Sequence, residues 1–337
     1  MKKFELILDS YGTGLSVKDG QFVIKTKDSK QSLPVTKVRS ICLSKSSSIT
    51  GMAIKLAIDN EIDISFTERD NMPYARVWNS KFGSITTIRR NQLLFSASGD
   101  GKEWIKHIII QKIRNQMALV GQLGLKHKNS GPFVTEIQHK FCSYLLKIHE
   151  SKTSDALDLA NQLRGWEANA SKIFFRCLSS FLPKDFQFSK RSRRPSLDPF
   201  NATLNYCYGI LYNKIESMLI RAGLDPHIGI FHKDQYNRPV LVFDIIEIYR
   251  QWAEYPVIEL FQKDILCMTH FSVQEKGVSI LPPAKKIIIE VFFSYMNEKI
   301  SYKNTRTKRI HHMNLYIQKF ATQMKEYKHN EAKKSGI

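Results

Sequence analysis

The chain of 337 residues carries 51 Lys and Arg against 31 Asp and Glu, a formal net charge of +20 at pH 7. That length favours two domains over one small core, and the charge points to a polyanionic partner, nucleic acid before anionic membrane, while saying nothing of fold. Five scattered cysteines without a C-x-x-C pair (Cys42, Cys142, Cys177, Cys207, Cys267) argue against a disulfide scaffold or thiolate zinc site, and no apolar run is long enough to span a bilayer; with Glu5 and Asp9 interrupting the amino-terminal stretch a signal would need, the expectation is a cytoplasmic protein.

Phe4, Leu6 and Leu8 recur at the two-residue period of a half-buried strand. Lys18-Asp19-Gly20, between LSV and QFVIK, marks a hairpin turn. SICLS, IDISF and ARVWN are further short strands, with one helix among them, TGMAIKLAIDN, capped by Thr50 and ending at Asp59-Asn60. Arg89 and Arg90 mark the end of this region, and beyond about Asn91 the period changes. SASGDG reads as a linker, after which Ile105, Ile109, Ile113 and Met117 recur at helical spacing. Helical periodicity then continues through the segment around Glu167, Asp198 to Arg221, Val240 to Glu254, and PPAKKIIIEVFFSYMNEKI. The Lys- and Arg-rich carboxyl-terminal segment with His311 and His312 reads either as a DNA-contacting helix or as a solvated helical face with a frayed tail. The expected fold class is α+β: a β-rich domain over residues 1–95, then a larger all-α catalytic domain over residues 96–337.

Glu167 breaks this pattern. Apolar side chains recur at Leu163, Ala170, Phe174, Cys177 or Leu178, and Phe181, and Glu167 falls on that same stripe. A carboxylate facing the core loses hydration and needs a cation or several donors. Downstream, GIFHKDQYNRPVLVFDIIEIYR supplies His232, Asp244 and Glu247, the two acids projecting from one helical face with Leu241. Carboxylates with one imidazole form a hard, oxygen-rich set suited to Mg²⁺ or Mn²⁺, the nitrogen favouring Mn²⁺, and Zn²⁺ accepts the same ligand types. Taken singly, each residue has a plainer reading: Glu167 paired with an arginine, His232 an ordinary loop histidine, Asp244 and Glu247 paired with Arg250.

The surrounding framework resembles the CRISPR-associated integrase family, the adaptation nuclease of CRISPR systems. The family pattern of R-x-P-x-x-x-P-x-N, L-N-x-x-Y, G-L-D-P, G-x-x-H, R-x-x-L and D-[LI]-x-E-x-[FY]-R falls here on Arg193, Pro195, Pro199, Asn201, Asn205, Tyr208, Gly223 to Pro226, Gly229, His232, Arg238, Asp244, Glu247 and Arg250. Upstream, LRGWEANASKIFF matches a G-x-E-x-x-A element at Gly165, Glu167 and Ala170. Two departures stand out: Ala168 follows the acid where the family often has Gly, and Val240 replaces the usual Ser of the R-x-S-L element.

The resemblance implies that Glu167, His232 and Glu247 are the catalytic residues and hold Mg²⁺ or Mn²⁺, with Asp244 as a further ligand or support. It implies an integrase and endonuclease that joins the 3′-hydroxyl ends of captured DNA to a CRISPR repeat by transesterification. Arg191, Arg193, Arg194, Arg238 and Arg250 are candidate DNA contacts beside Lys190; Asn201 and Asn205 either contact the scissile strand or support a ligand. The implied partners are double-stranded DNA, a second copy of the chain bound through the β-rich domains, a small ferredoxin-like adaptation protein and, in some members, a separate reverse transcriptase. Two rival readings are a catalytically silent DNA-binding scaffold and a metal-dependent ribonuclease or phosphodiesterase.

Overall fold

The computed structural model describes residues 3–77, 86–127, 130–151, 156–232, 238–275, 277–302 and 304–328. By its internal contacts the chain divides into two compact units, Met1–Gly83 with Tyr208–Ser217, and Ser84–Cys207 with Met218–Ile337.

The first unit contains β1 (Phe4–Leu8), β2 (Gly14–Lys18), β3 (Gln21–Lys25), β4 (Lys30–Leu33), β5 (Val38–Ser44), β6 (Ser48–Ile49), the helix α1 (Gly51–Asp59), β7 (Asp63–Thr67) and β8 (Pro73–Val77). One sheet has the order β1-β5-β7-β8, parallel except for the antiparallel β7–β8 pair; the other has the order β4-β3-β2-β6. β5 runs between two parallel neighbours and buries both faces, which is why its sequence is a continuous run rather than an alternation. Asp19 and Gly20 both take positive φ, as the two central residues of a tight hairpin turn must, and Lys18 pairs with Gln21 across it. Thr50 caps α1 by accepting from the Ala53 N–H at 3.3 Å. Ala53 and Ala57 then face Leu15, Phe22, Ile41 and Ile64 in one apolar core. Of ARVWN, Trp78 and Asn79 lie outside the described residues.

Residues 208–217 complete this unit from far along the chain. Arg76 on β8, buried, donates to Asp63 at 2.8 Å, pairs with Glu216 at 2.7 Å and reaches the Asn213 carbonyl at 2.9 Å. Lys214 pairs with Glu5. Gly209 passes so close to the turn after β7 that an added Cβ would lie 1.8 Å from the Asp70 carbonyl oxygen. Gly209→Ala is therefore expected to destabilise the protein by about 3 kcal/mol through overpacking against backbone. Thermal melting checks this, and an unchanged midpoint would show that the 70–71 backbone yields freely.

The second unit contains α2 (Thr86–Ala97), α3 (Gly99–Lys126), α4 (Gly131–Glu150), α5 (Ala156–Ser180), α6 (Pro199–Arg221), α7 (Val240–Ile246), α8 (Gln251–Gln262), β9 (Phe271–Gln274), β10 (Gly277–Ile280), α9 (Pro282–Asn297), β11 (Lys299–Tyr302), β12 (Thr305–Lys308) and α10 (Arg309–Glu326), α6 lending its residues 208–217 to the first. The α+β class thus holds, a strand-rich region followed by a mostly helical one. The helical unit is not purely helical, however: β9–β10 and β11–β12 are antiparallel ribbons. Four-residue strands leave too short an alternation to stand out in the sequence.

Arg89 and Arg90 stand on α2. Two further expectations are corrected. SASGDG is no linker: Ser98 caps α3 by accepting from Gly101 N–H at 3.1 Å, and a Cβ on buried Gly101 would meet the Phe95 carbonyl oxygen at 2.3 Å. The helix expected from Val240 to Glu254 breaks into α7 and α8 around Glu247–Arg250. No described helix is long and apolar enough to cross a membrane. Burial pushes the Cys177 thiol up to about 12 and Cys207 higher still, as expected of thiols that serve as small apolar side chains.

Candidate active site

α5 buries the stripe read from its sequence: Leu163, Ala170, Phe174, Cys177 and Leu178 are at most 1% exposed. Glu167 on that stripe meets a cation on α3. The ammonium of Lys112 contacts Glu167 Oε1 and lies 2.6 Å from Glu247 Oε2, with all three side chains largely enclosed. Ser171 Oγ also donates to Glu167 Oε1 at 3.1 Å. Arg250 grips Glu247 with two hydrogen bonds, Nε to Oε2 at 2.8 Å and Nη2 to Oε1 at 2.6 Å. Burial alone would raise the Glu247 carboxyl, but Arg250 and Lys112 outweigh it and hold the group well below the usual carboxylate range. The cluster is charge-balanced, with two carboxylates against one ammonium and one guanidinium.

Lys112 is the residue that the sequence reading missed. Its signal was of the same kind as that of Glu167: it stands four residues after Ile108 and three after Ile109, on the buried stripe of α3.

His232 and Asp244 form a second pair. Asp244, 1% exposed, accepts from the backbone N–H of Ile230 at 2.7 Å, Phe231 at 3.1 Å and His232 at 3.1 Å, and from His232 Nδ1 at 2.7 Å. A carboxylate can only accept, so Nδ1 carries the proton and Nε2 is left to bind a ligand. The loop bearing His232 is held from three sides. Gln92 of α2 donates to the Asp225 and Ile228 carbonyls at 2.7 and 3.0 Å. Arg164 of α5 donates to the Phe231 carbonyl at 3.0 Å, and Asp244 of α7 takes the N–H groups. Gly229 lies against the start of α7, where a Cβ would meet Val240 Cγ2 at 2.7 Å. Val240, the departure from the family's Ser, is thus a packing residue behind this loop.

The structure therefore joins the four candidate ligands two by two, Glu167 with Glu247 through Lys112 and His232 with Asp244. Among the described residues no three His, Cys, Asp or Glu side chains already form a metal-holding group. The residues nevertheless fit a divalent ion: Lys112 is a stand-in cation between two carboxylates from different helices, and the imidazole is oriented by a carboxylate, as metal-binding histidines are.

The basic segment before α6 is a built loop. Arg191 donates to Asn201 Oδ1 at 2.8 Å and to Asn205 Oδ1, with its guanidinium over the Phe175 ring. Asn201, fully buried, donates to the Lys190 carbonyl at 3.1 Å and the Asp198 carboxylate at 2.6 Å. Asn205 donates to the Arg193 carbonyl at 2.9 Å and Ser196 Oγ at 2.8 Å. Both asparagines thus brace the loop, while Arg193 and Arg194 stay exposed on it. Arg238 is exposed at the foot of α7, whereas Arg250 is turned onto Glu247.

The family model described as CRISPR associated protein Cas1 matches residues 6–293. This chain belongs to the Cas1 family. A relative from Archaeoglobus fulgidus, named CRISPR-associated endonuclease Cas1 1, is 29% identical over 257 residues, covering 73% of this Cas1 chain and 74% of its own. In fold, the chain is similar to a casposase bound to integration product, with a TM-score of 0.82 at 19% identity over 97% of this chain and 92% of that one. It is also similar to a chain of a Cas6-RT-Cas1–Cas2 complex, with a TM-score of 0.80 at 20% identity over 96% of this chain and 35% of that one.

Proposed function

We propose that this Cas1 family protein is a metal-dependent DNA integrase and endonuclease of CRISPR adaptation. The observation that carries the reading is the meeting of Glu167 and Glu247, from separate helices, on one buried cation position beside the family match. A Mg²⁺ or Mn²⁺ ion held there by Glu167, Glu247 and His232 Nε2 would offset charge on a phosphoryl oxygen and lower the pKa of an attacking or leaving hydroxyl. Asp244 acts through His232, fixing its tautomer and ring plane rather than taking a place on the ion, since its oxygens already accept four hydrogen bonds. Arg193, Arg194 and Arg238 hold backbone phosphates, and Asn201 and Asn205 keep their loop in place. Fixing a 3′-hydroxyl in line with the target phosphodiester is the protein's other contribution; such positioning supplies up to roughly 7–11 kcal/mol. The bond energy passes from the broken phosphodiester to the new one, so joining needs no nucleotide hydrolysis.

The name endonuclease among its relatives and the integration product of the casposase support this chemistry. The Cas6-RT-Cas1–Cas2 neighbour supports a small adaptation partner and, in some settings, a reverse transcriptase; association of two copies through the strand-rich unit completes the reading. The test is incubation of a short 3′-hydroxyl duplex with a supercoiled repeat-bearing plasmid, with Mn²⁺, Mg²⁺ or chelator and with the small partner. Joined product is expected with either ion, and none with chelator or with a 3′-deoxy end. Absence of product under every metal condition, or equal turnover of single-stranded RNA, would overturn the reading.

A further inference from the structure

The β11–β12 ribbon lies beyond the residues that match the family model. From Ser294 to the end, the chain carries ten Lys or Arg against three Glu. The pairing register sets Lys299 opposite Lys308 and Ser301 opposite Arg306, so these four side chains share one face. Lys299, Ser301 and Arg306 are exposed and Lys308 half-buried, its Nζ 3.4 Å from Asn297 Oδ1. Like charges facing each other across an antiparallel pair are destabilising. Among the described residues no carboxylate relieves them: Glu298 beside the ribbon is taken by Arg309 at 2.6 Å, and neither Lys299 nor Arg306 forms an ion pair.

The opposite face explains why the ribbon stays in place. Tyr302 packs its ring 6.1 Å from Trp252 and 5.5 Å from His312, and Trp252 packs 4.8 Å from Tyr249, just beyond Glu247. His312 Nε2 reaches the Ile300 carbonyl at 3.2 Å. An aromatic anchor thus ties the ribbon to the segment carrying Glu247, with its positive face turned outward. Because Tyr302 faces inward, the outer face offers no ring on which unpaired bases could stack. Its ammonium, guanidinium and hydroxyl groups suit phosphates instead.

We infer that the outer face of the β11–β12 ribbon is a binding site for the phosphate backbone of duplex DNA, holding the duplex beside the catalytic centre. The inference rests on the proposed action on DNA. It is tested by fluorescence anisotropy of a labelled duplex, and of the single strand, over a salt series, comparing wild type with a Lys299→Ser/Arg306→Ser double variant. A Lys319→Ser/Lys325→Ser double variant removes the same charge from exposed positions of α10 and serves as control. The ribbon variant is expected to bind duplex about tenfold more weakly, with the slope of log affinity against log salt shallower by about 1.8, two phosphate contacts' worth. The control should keep the wild-type slope. If the ribbon variant melts early, the Arg306→Ser single variant gives the same answer at half the slope change. Equal slopes for wild type and ribbon variant, an equal loss in the control, or a loss confined to single strands would overturn the inference. A wild type with no salt-dependent affinity for duplex would bring down the functional reading as well.

Discussion

Glu167→Ala is expected to lower strand joining by on the order of 10³ or more, at the upper end of what losing one group that stabilises transition-state charge costs. The carboxylate meets Lys112 and Ser171, and it supplies one of the two anionic groups at the cation position. Duplex binding should stay within about twofold of wild type, because that affinity comes from phosphate neutralisation by Lys and Arg elsewhere. Folding should be little affected, since Lys112 keeps Glu247 at 2.6 Å as its partner. Glu167→Gln retains the shape and the hydrogen bond from Ser171 while losing the charge, and the same loss of joining is expected of it. Gel assays of joining, anisotropy for binding and thermal melting read the three quantities separately. A Glu167→Ala protein that joins DNA at the wild-type rate would reduce the pair to a structural salt bridge.

The second large effect concerns Lys112. Two carboxylates, one ammonium and one guanidinium already balance, so a divalent ion joining Glu167 and Glu247 has to displace Lys112 or leave excess positive charge in an enclosed site. Lys112→Met should then bind Mn²⁺ about tenfold more tightly, a gain of about 1.4 kcal/mol. In chelator, the variant should lose about 3 kcal/mol of stability, because two enclosed carboxylates are left facing each other. Mn²⁺ at about a hundred times its dissociation constant should restore roughly 2.7 kcal/mol of that loss. Calorimetric titration with Mn²⁺ and melting curves with and without the ion measure both. Equal Mn²⁺ affinity in variant and wild type would show that lysine and metal do not compete, and weaker affinity would mean that Lys112 helps to organise the ligands.

The sequence carried a good deal of this architecture because local burial leaves a local trace. The Asp19-Gly20 turn, the Thr50 cap, the α5 stripe and the α6 span all follow from spacing and from which residues tolerate which backbone. Glu167 was legible for the same reason: an acid on an apolar stripe needs a partner. Its partner was not legible. Whether a buried acid meets an arginine, a lysine or an ion depends on which helix packs against it, and no periodicity on α5 encodes α3.

The same limit explains the other differences. The chain turns between α7 and α8 around Glu247–Arg250 without any change in apolar period, and Arg250, a candidate DNA contact by motif, is thereby turned back onto Glu247. Asn201 and Asn205 read from the sequence as contacts to the scissile strand or as supports for a ligand, and their amides brace the basic loop. What the sequence determined alone was which side chains lose water and on which segments they stand. Tertiary structure alone decided the pairing among them, because an ion pair or a metal site is made by groups distant in the chain, and their distance apart is set by packing.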